Sequence, residues 1–138
     1  MPVRLLDIRE TPLDVAEVVA ALGSHGAGGL TIFIGTVRDH DHGRGVTGLG
    51  YSAHPSAMSK LAEVAEAVAQ RHGVDVAAVH RVGDLAIGDI AVIVATTAAH
   101  RGEAFDATRD LIDTLKAEVP IWKHQRFTDG AQEWVGLP

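Results

Sequence analysis

The chain has 138 residues, of which 46% are apolar, with a net charge of −6 and no cysteine. That size and composition fit one domain over residues 1–138 with a real core rather than a disordered chain. They exclude disulfides, thiolate metal ligands and a cysteine nucleophile, and the acidic balance argues against a general nucleic-acid binder.

Val3 to Ile8 reads as a first strand. Thr11-Pro12-Leu13-Asp14 then opens a helix, with Thr11 as cap, Pro12 in the first helical position and Asp14 as the capping-box acid. Val15, Val18, Val19 and Leu22 follow at helical spacing until Gly23. Gly28 to Val37 is a strand rich in β-branched residues. Asp39 to Gly45 reads as a polar loop, and Val46 to Tyr51 as a short strand.

A second helix is expected from about Pro55 to His72, with Met58, Leu61, Ala65 and Val68 as its apolar stripe and Gly73 as its stop. Val74 to Val82 and Ile90 to Thr97 read as strands around a glycine-containing turn, Gly83 to Gly88. A third helix covers about Gly102 to Glu118, with Lys116 at the border of the stripe formed by Ala104, Ala107, Thr108, Leu111, Ile112 and Leu115. Pro120 forces Val119 out of helical geometry and ends it. Ile121 to Phe127 and Gln132 to Val135 are the last strands expected, giving a mixed α+β domain. No stretch approaches the roughly 20 apolar residues of a membrane span. Met1 to Asp7 lacks the features of a signal peptide, so a cytoplasmic protein is the default.

Only three lysines exist, Lys60, Lys116 and Lys123, and two of them flank Pro120. A lysine in a partly apolar, cationic pocket loses some preference for the charged state and becomes usable as acid, base or nucleophile. A second lysine nearby assists that shift and can hold a phosphate or carboxylate. Two ordinary surface lysines is the competing reading, and spacing alone leaves both open.

His100-Arg101 stands where a strand meets the third helix, and suits an anion clamp as well as a capping histidine beside a solvated arginine. For His80-Arg81 structural hydrogen bonding is the preferred reading. Phe33-Ile34-Gly35-Thr36-Val37-Arg38 ends a strand with a glycine that would let a ligand approach the backbone, a hydroxyl and a cation. It is not a phosphate-binding P-loop. Asp39-His40-Asp41-His42 offers nitrogen and oxygen atoms to a metal, but a third ligand at a recognisable spacing is missing, and a mobile polar loop is preferred.

Phe33-x-Gly35-x-Val37-Arg38, Met58 on a helix, His80-Arg81-x-Gly83-x-Leu85-x-x-Gly88, His100-Arg101-x-x-Ala104-Phe105 and Lys116-x-x-x-Pro120-x-Trp122-Lys123 occur in this order. As an ordered set spanning about Gly28 to Val135, they resemble the large, catalytic subunit of molybdopterin synthase, the MoaE family. The resemblance implies an α/β hammerhead fold with a mixed, largely antiparallel sheet and about three helices. It implies a sulfurtransferase that converts cyclic pyranopterin monophosphate into molybdopterin by adding two sulfurs as a dithiolene, with no cofactor of its own.

The sulfur would arrive as a thiocarboxylate on the carboxy-terminal glycine of a small ubiquitin-like partner subunit. Two large subunits would form a central homodimer within a heterotetramer. Lys116 and Lys123 match catalytic positions. Phe33, Arg38, His100 and Arg101, with Thr36 and Val37 beside them, match the pterin and phosphate pocket, and His124 and Gln125 match a substrate-contacting stretch.

Two departures qualify the match. Tyr51-Ser52-Ala53-His54 replaces a Tyr-Glu-aromatic pattern, and the chain ends at Pro138 without a basic tail residue that some relatives use. A non-catalytic module that captures a ubiquitin-like carboxy terminus is the alternative function, and a metal-dependent hydrolase using His40 and His42 is a third.

Overall fold

The computed structural model describes residues 2–135, so the chain end at Pro138 lies outside the described residues. The elements run β1 (Val3–Arg9), α1 (Val15–Ala21), β2 (Gly29–Thr36), β3 (His40–Asp41), β4 (Arg44–Ala53), α2 (Ala57–His72), β5 (Asp75–Arg81), β6 (Gly83–Leu85), β7 (Ile90–Ala98), α3 (Arg101–Glu118), β8 (Ile121–Phe127) and β9 (Gln132–Val135). The class is α+β. One sheet has the order β1-β5-β7-β2, and a second runs β3-β4-β8-β9 with β6 also paired to β4. Only β1 and β5 pair in parallel among the described strands; the other pairs are antiparallel.

The first sheet is covered on both faces, which is why β5 and β7 read as nearly continuous apolar runs. Val76, Ala78, Val92 and Val94 face α2 and α3, packing on Leu61, Val64, Val68, Leu111 and Leu115. Ala77, Val79, Ile93 and Ala95 face the other way, onto Val18 of α1 and Leu22 at its C-cap. This alternation is the period-two geometry of a strand. Each fully buried Leu or Ile contributes about 2 kcal/mol through the area it removes from water. Val37, Leu49, Leu85 and Ala91 form a smaller cluster.

Several local expectations change. Asp14, not Thr11, caps α1: its side chain accepts from the Ala16 N–H at 2.9 Å. Met58 is 40% exposed, and Val64 and Ala69 replace it on the buried face of α2. The polar stretch after Arg38 is a tight hairpin, in which His42 and Gly43 both take positive φ and β3 pairs with the start of β4. Two successive left-handed residues match the right-handed twist of paired strands. Gly83 to Leu85, expected as a turn, pairs with Leu49 to Tyr51.

The third helix and the strand beyond it hold the site. Val119 adopts φ −80°, ψ 122°, the extended geometry a following proline requires, and its N–H still bonds the Leu115 carbonyl at 3.0 Å. The Pro120 carbonyl accepts from His54 N–H at 3.0 Å, which ties this joint to the end of β4.

Candidate active site

β8 lies between β4 and β9, and its register sets Tyr51, Lys123 and Val135 side by side across three strands. Laterally paired residues point to the same face of a sheet. The last turns of α3 bring Leu115, Lys116 and Val119 over that face, and β5 brings His80. Together with Ile121 these residues line a cavity of about 310 Å³. That is the size of a small-ligand site, with apolar walls and a few polar groups.

The two lysines in this cavity differ from the third. Lys60 is held by Glu63 at 3.2 Å and Glu118 at 3.4 Å. Neither Lys116 nor Lys123 has a carboxylate within ion-pair distance among the described residues. Lys116 keeps an exposed surface at the cavity mouth, yet the crowding of its neighbours removes solvent from its ammonium group. That desolvation, together with the Lys123 charge, pulls its pKa below the ordinary lysine value. Its Nζ stands 5.9 Å from the centre of the Tyr51 ring. Burial raises the Tyr51 phenol, so the ring wall stays neutral.

Arg38 connects to this region through one carboxylate. Asp41 accepts from Arg38 Nη2 at 3.0 Å and from Gln125 Nε2 at 2.7 Å. The Gln125 bond holds Asp41 well below the usual carboxylate range, and the His42, Lys123 and Arg38 charges add to that. Gln125 itself is 3% exposed, so its amide serves Asp41 and has no free surface for a ligand. Asp41 thus bridges Arg38 and Gln125, a link the sequence pattern presents only as part of a metal-like run.

Other expected contacts lie elsewhere. His124 falls on the opposite face of β8 from Lys123 and stacks on Trp134, with ring centres 4.5 Å apart. Val37 is buried in the small cluster, and its N–H and carbonyl are both bonded, to Asp89 and Gly88. It has nothing left to offer a ligand. A Cβ on Gly35 would meet the Val92 side chain at 2.7 Å, so this glycine makes room for the core rather than for a ligand. Phe33 and Thr36 are exposed on β2, an edge strand.

His100 and Arg101 begin α3, beside Gly28, Ala99, Gly102 and Phe105 in an open concavity. His100 occupies the N-cap position without a side-chain capping bond. Gly28 and Gly29 let the start of β2 pass beneath it, since a Cβ on Gly28 would meet the Ala99 carbonyl at 2.5 Å. Lys116 sits 15 positions after Arg101 on the same helix, about 22 Å along its axis. One chain therefore does not bring the two cationic clusters onto one small molecule.

Tyr51 and His80 complete the cavity wall, and neither has a local signal that says so. Their placement depends on strand register and on the meeting of the two sheets. The His40 and His42 imidazoles pair separately, with Asp39 at 2.9 Å and Asp41 at 3.7 Å. Among the described residues no cluster of three or more side chains is suited to a metal ion. No described helix is long and apolar enough to cross a membrane.

A family model described as MoaE protein matches residues 8–118, which include Lys116 and stop short of Lys123. Molybdopterin synthase catalytic subunit 1 of Mycobacterium tuberculosis is 46% identical over 131 residues, covering 94% of this chain and 88% of that protein. Molybdopterin synthase catalytic subunit of Bacillus subtilis is 36% identical over 132 residues, covering 94% of this chain and 83% of that protein. The crystal structure of molybdopterin synthase from Staphylococcus aureus superposes with a TM-score of 0.87 at 32% identity, covering 94% of this chain and 96% of that one.

Proposed function

From the premise that this chain belongs to the MoaE family, we propose that the Lys116–Lys123 cavity is where it transfers sulfur to a pterin. The chain is a molybdopterin synthase catalytic subunit, a sulfur-transferring enzyme. Its substrate is cyclic pyranopterin monophosphate. Its sulfur donor is the thiocarboxylated carboxy terminus of a small ubiquitin-like subunit, and it acts as one domain in the cytoplasm.

The observation that carries this reading is two lysines without carboxylate partners in one cavity. A thiocarboxylate and a phosphate ester are both anions, and two ammonium groups against an apolar wall stabilise both more strongly than they would in water. Lys116, whose ammonium group is desolvated, assists attack of the thiocarboxylate sulfur on the pterin side chain. Lys123 stabilises the anionic intermediate or transfers a proton. A cysteine-free chain suits this chemistry, because the sulfur comes from the partner.

His100 and Arg101 serve as the anion clamp, with Arg38 and the exposed Phe33 and Thr36 contributing to substrate binding. For the clamp and Lys116 to touch one substrate, the clamp must come from a second copy of the chain, which a central homodimer supplies. The decisive assay combines the thiocarboxylated partner, the cyclic pterin and Lys116→Ala. Product formation should fall by about 100-fold or more. Wild-type-like turnover would remove Lys116 from the chemistry, and tight partner binding without any pterin turnover by the wild type would leave only a binding module.

A further inference from the structure

His80 lines the cavity, and its two ring nitrogens are not equivalent. Nδ1 lies 2.7 Å from the Arg81 carbonyl oxygen, which can only accept, so Nδ1 carries the proton and donates it. The tautomer is thereby fixed with Nε2 unprotonated, and Nε2 has no hydrogen-bond partner among the described residues. It is not sealed in the core either: the sealed, unpaired side-chain nitrogen among the described residues is Arg81 Nε. The ring is 1% exposed and meets Tyr51 edge to face at 4.9 Å, and the little surface it keeps belongs to the cavity it lines.

The other titratable groups around the cavity are Lys116 from α3, Lys123 from β8 and Tyr51 from β4. The proposed transfer already uses Lys116 in the attack and Lys123 on the intermediate, and the buried phenol stays protonated at neutral pH. His80 is the cavity group placed to take a proton.

Sulfur transfer, on the reading above, creates the need for one. Once the thiocarboxylate sulfur has bonded to a pterin carbon, that sulfur still carries the partner's acyl group as a thioester. Water must remove it. The water oxygen bonds to the acyl carbon, the carbon–sulfur bond breaks, the sulfur stays on the pterin as thiolate, and the partner leaves with an ordinary carboxyl terminus. One proton of the water goes to the base, and the other is lost from the carboxylic acid to solvent.

We infer that His80 is the general base of this acyl-release step, taking the proton of the attacking water at Nε2. Burial and, secondarily, the Lys116 charge push the imidazole down to about 4 in the free protein. An anionic substrate in the cavity offsets the Lys116 charge, the smaller of the two causes, and so favours the imidazolium. The same burial keeps Nε2 unprotonated at neutral pH before each turnover.

The test is single-turnover kinetics with the thiocarboxylated partner and the cyclic pterin, following covalent partner–pterin adduct and released partner by mass spectrometry. His80→Gln and His80→Ala should both form adduct at close to the wild-type rate and release it about 100-fold more slowly. Wild-type release should slow as pH falls, and His80→Gln should lose that limb. Release by His80→Gln at the wild-type rate overturns the assignment, because an amide accepts a hydrogen bond but not a proton. So does a wild-type release rate that stays flat as pH falls from about 8 to about 4, on either side of the ordinary imidazole value, whatever the variants do. Variants that never form adduct would place His80 before the release step and equally overturn it. A wild type without product removes the sulfur-transfer reading itself, whereas an active wild type with an active His80→Gln removes only this inference.

Discussion

Tyr51 and His80 meet edge to face, with ring centres 4.9 Å apart and planes at 82°. This contact joins the second sheet to the first at the cavity, and the phenol hydroxyl plays no part in it. Tyr51→Phe is therefore expected to unfold in urea within about 0.5 kcal/mol of the wild type. Tyr51→Ala should lose about 3 kcal/mol, the lower end for an aromatic truncation, since Tyr51 is only half-buried. Equal losses in both variants would mean that the hydroxyl, not the ring, holds the wall.

His80 gives the protein an acid sensitivity with a definite sign. Its folded pKa is about 4 against 6.5 for the free side chain. Between those values the unfolded chain binds a proton that the folded chain refuses, so stability falls as pH drops through that window and is full above it. The span corresponds to about 3 kcal/mol. Chemical unfolding at pH 7 and pH 4.5 should show the loss in the wild type and a smaller one in His80→Gln. An unchanged slope in the variant would assign the acid sensitivity to other groups.

Lys116 should feel the charge of its cavity neighbour. Lys123 is one cause of the lowered Lys116 pKa, after desolvation. Lys123→Gln removes a repelling charge and should raise the Lys116 pKa, leaving less of the neutral amine at any given pH. Isotope-edited NMR of dimethylated lysines reads this directly. A Lys116 resonance that titrates identically in both proteins would separate the two ammonium groups electrostatically.

Helix α3 carries Lys116 and Arg101 about 22 Å apart, and a substrate shared between two copies makes a prediction that one-chain chemistry does not. Lys116→Ala and Arg101→Ala proteins, each inactive alone, should regain part of the activity when mixed and allowed to exchange subunits. Mixed dimers would then contain one site with both groups intact. No recovery, with subunit exchange verified by mass spectrometry, would confine each site to a single chain.

Elements that depend on local pattern are legible in the chain itself. The third helix, its stop at Pro120 and the two closing strands follow from apolar spacing and one proline, and the structure keeps them within a residue. Asp14 displaces Thr11 as a cap because both residue types satisfy the same backbone donors, and sequence does not rank them by geometry. Met58 loses its place because the buried face of α2 runs through Ala57, Leu61, Val64, Ala65, Val68 and Ala69. The cavity is half-legible. Its lysines show in the chain as a pair around Pro120, but Tyr51 enters by strand register and His80 by the meeting of two sheets, neither of which leaves a local trace. His124 shows what a motif leaves out: the resemblance groups it with the substrate-contacting stretch after Lys123, and strand alternation sets its side chain on the other face of β8, against Trp134.

Helix α3 also acts as a gauge. It sets both the distance and the angle between its cationic start and its cationic end. Inserting one residue inside it would advance Lys116 by about 1.5 Å and turn it by about 100° relative to His100 and Arg101. Pro120 fixes the exit from the helix, so β8 would have to turn with it or lose its register with Tyr51. Length changes should thus be tolerated at the hairpin tip near Gly43 or in the turn around Gly130, and rejected between Arg101 and Glu118. A library of single-residue insertions, scored for turnover, would trace that boundary along the chain.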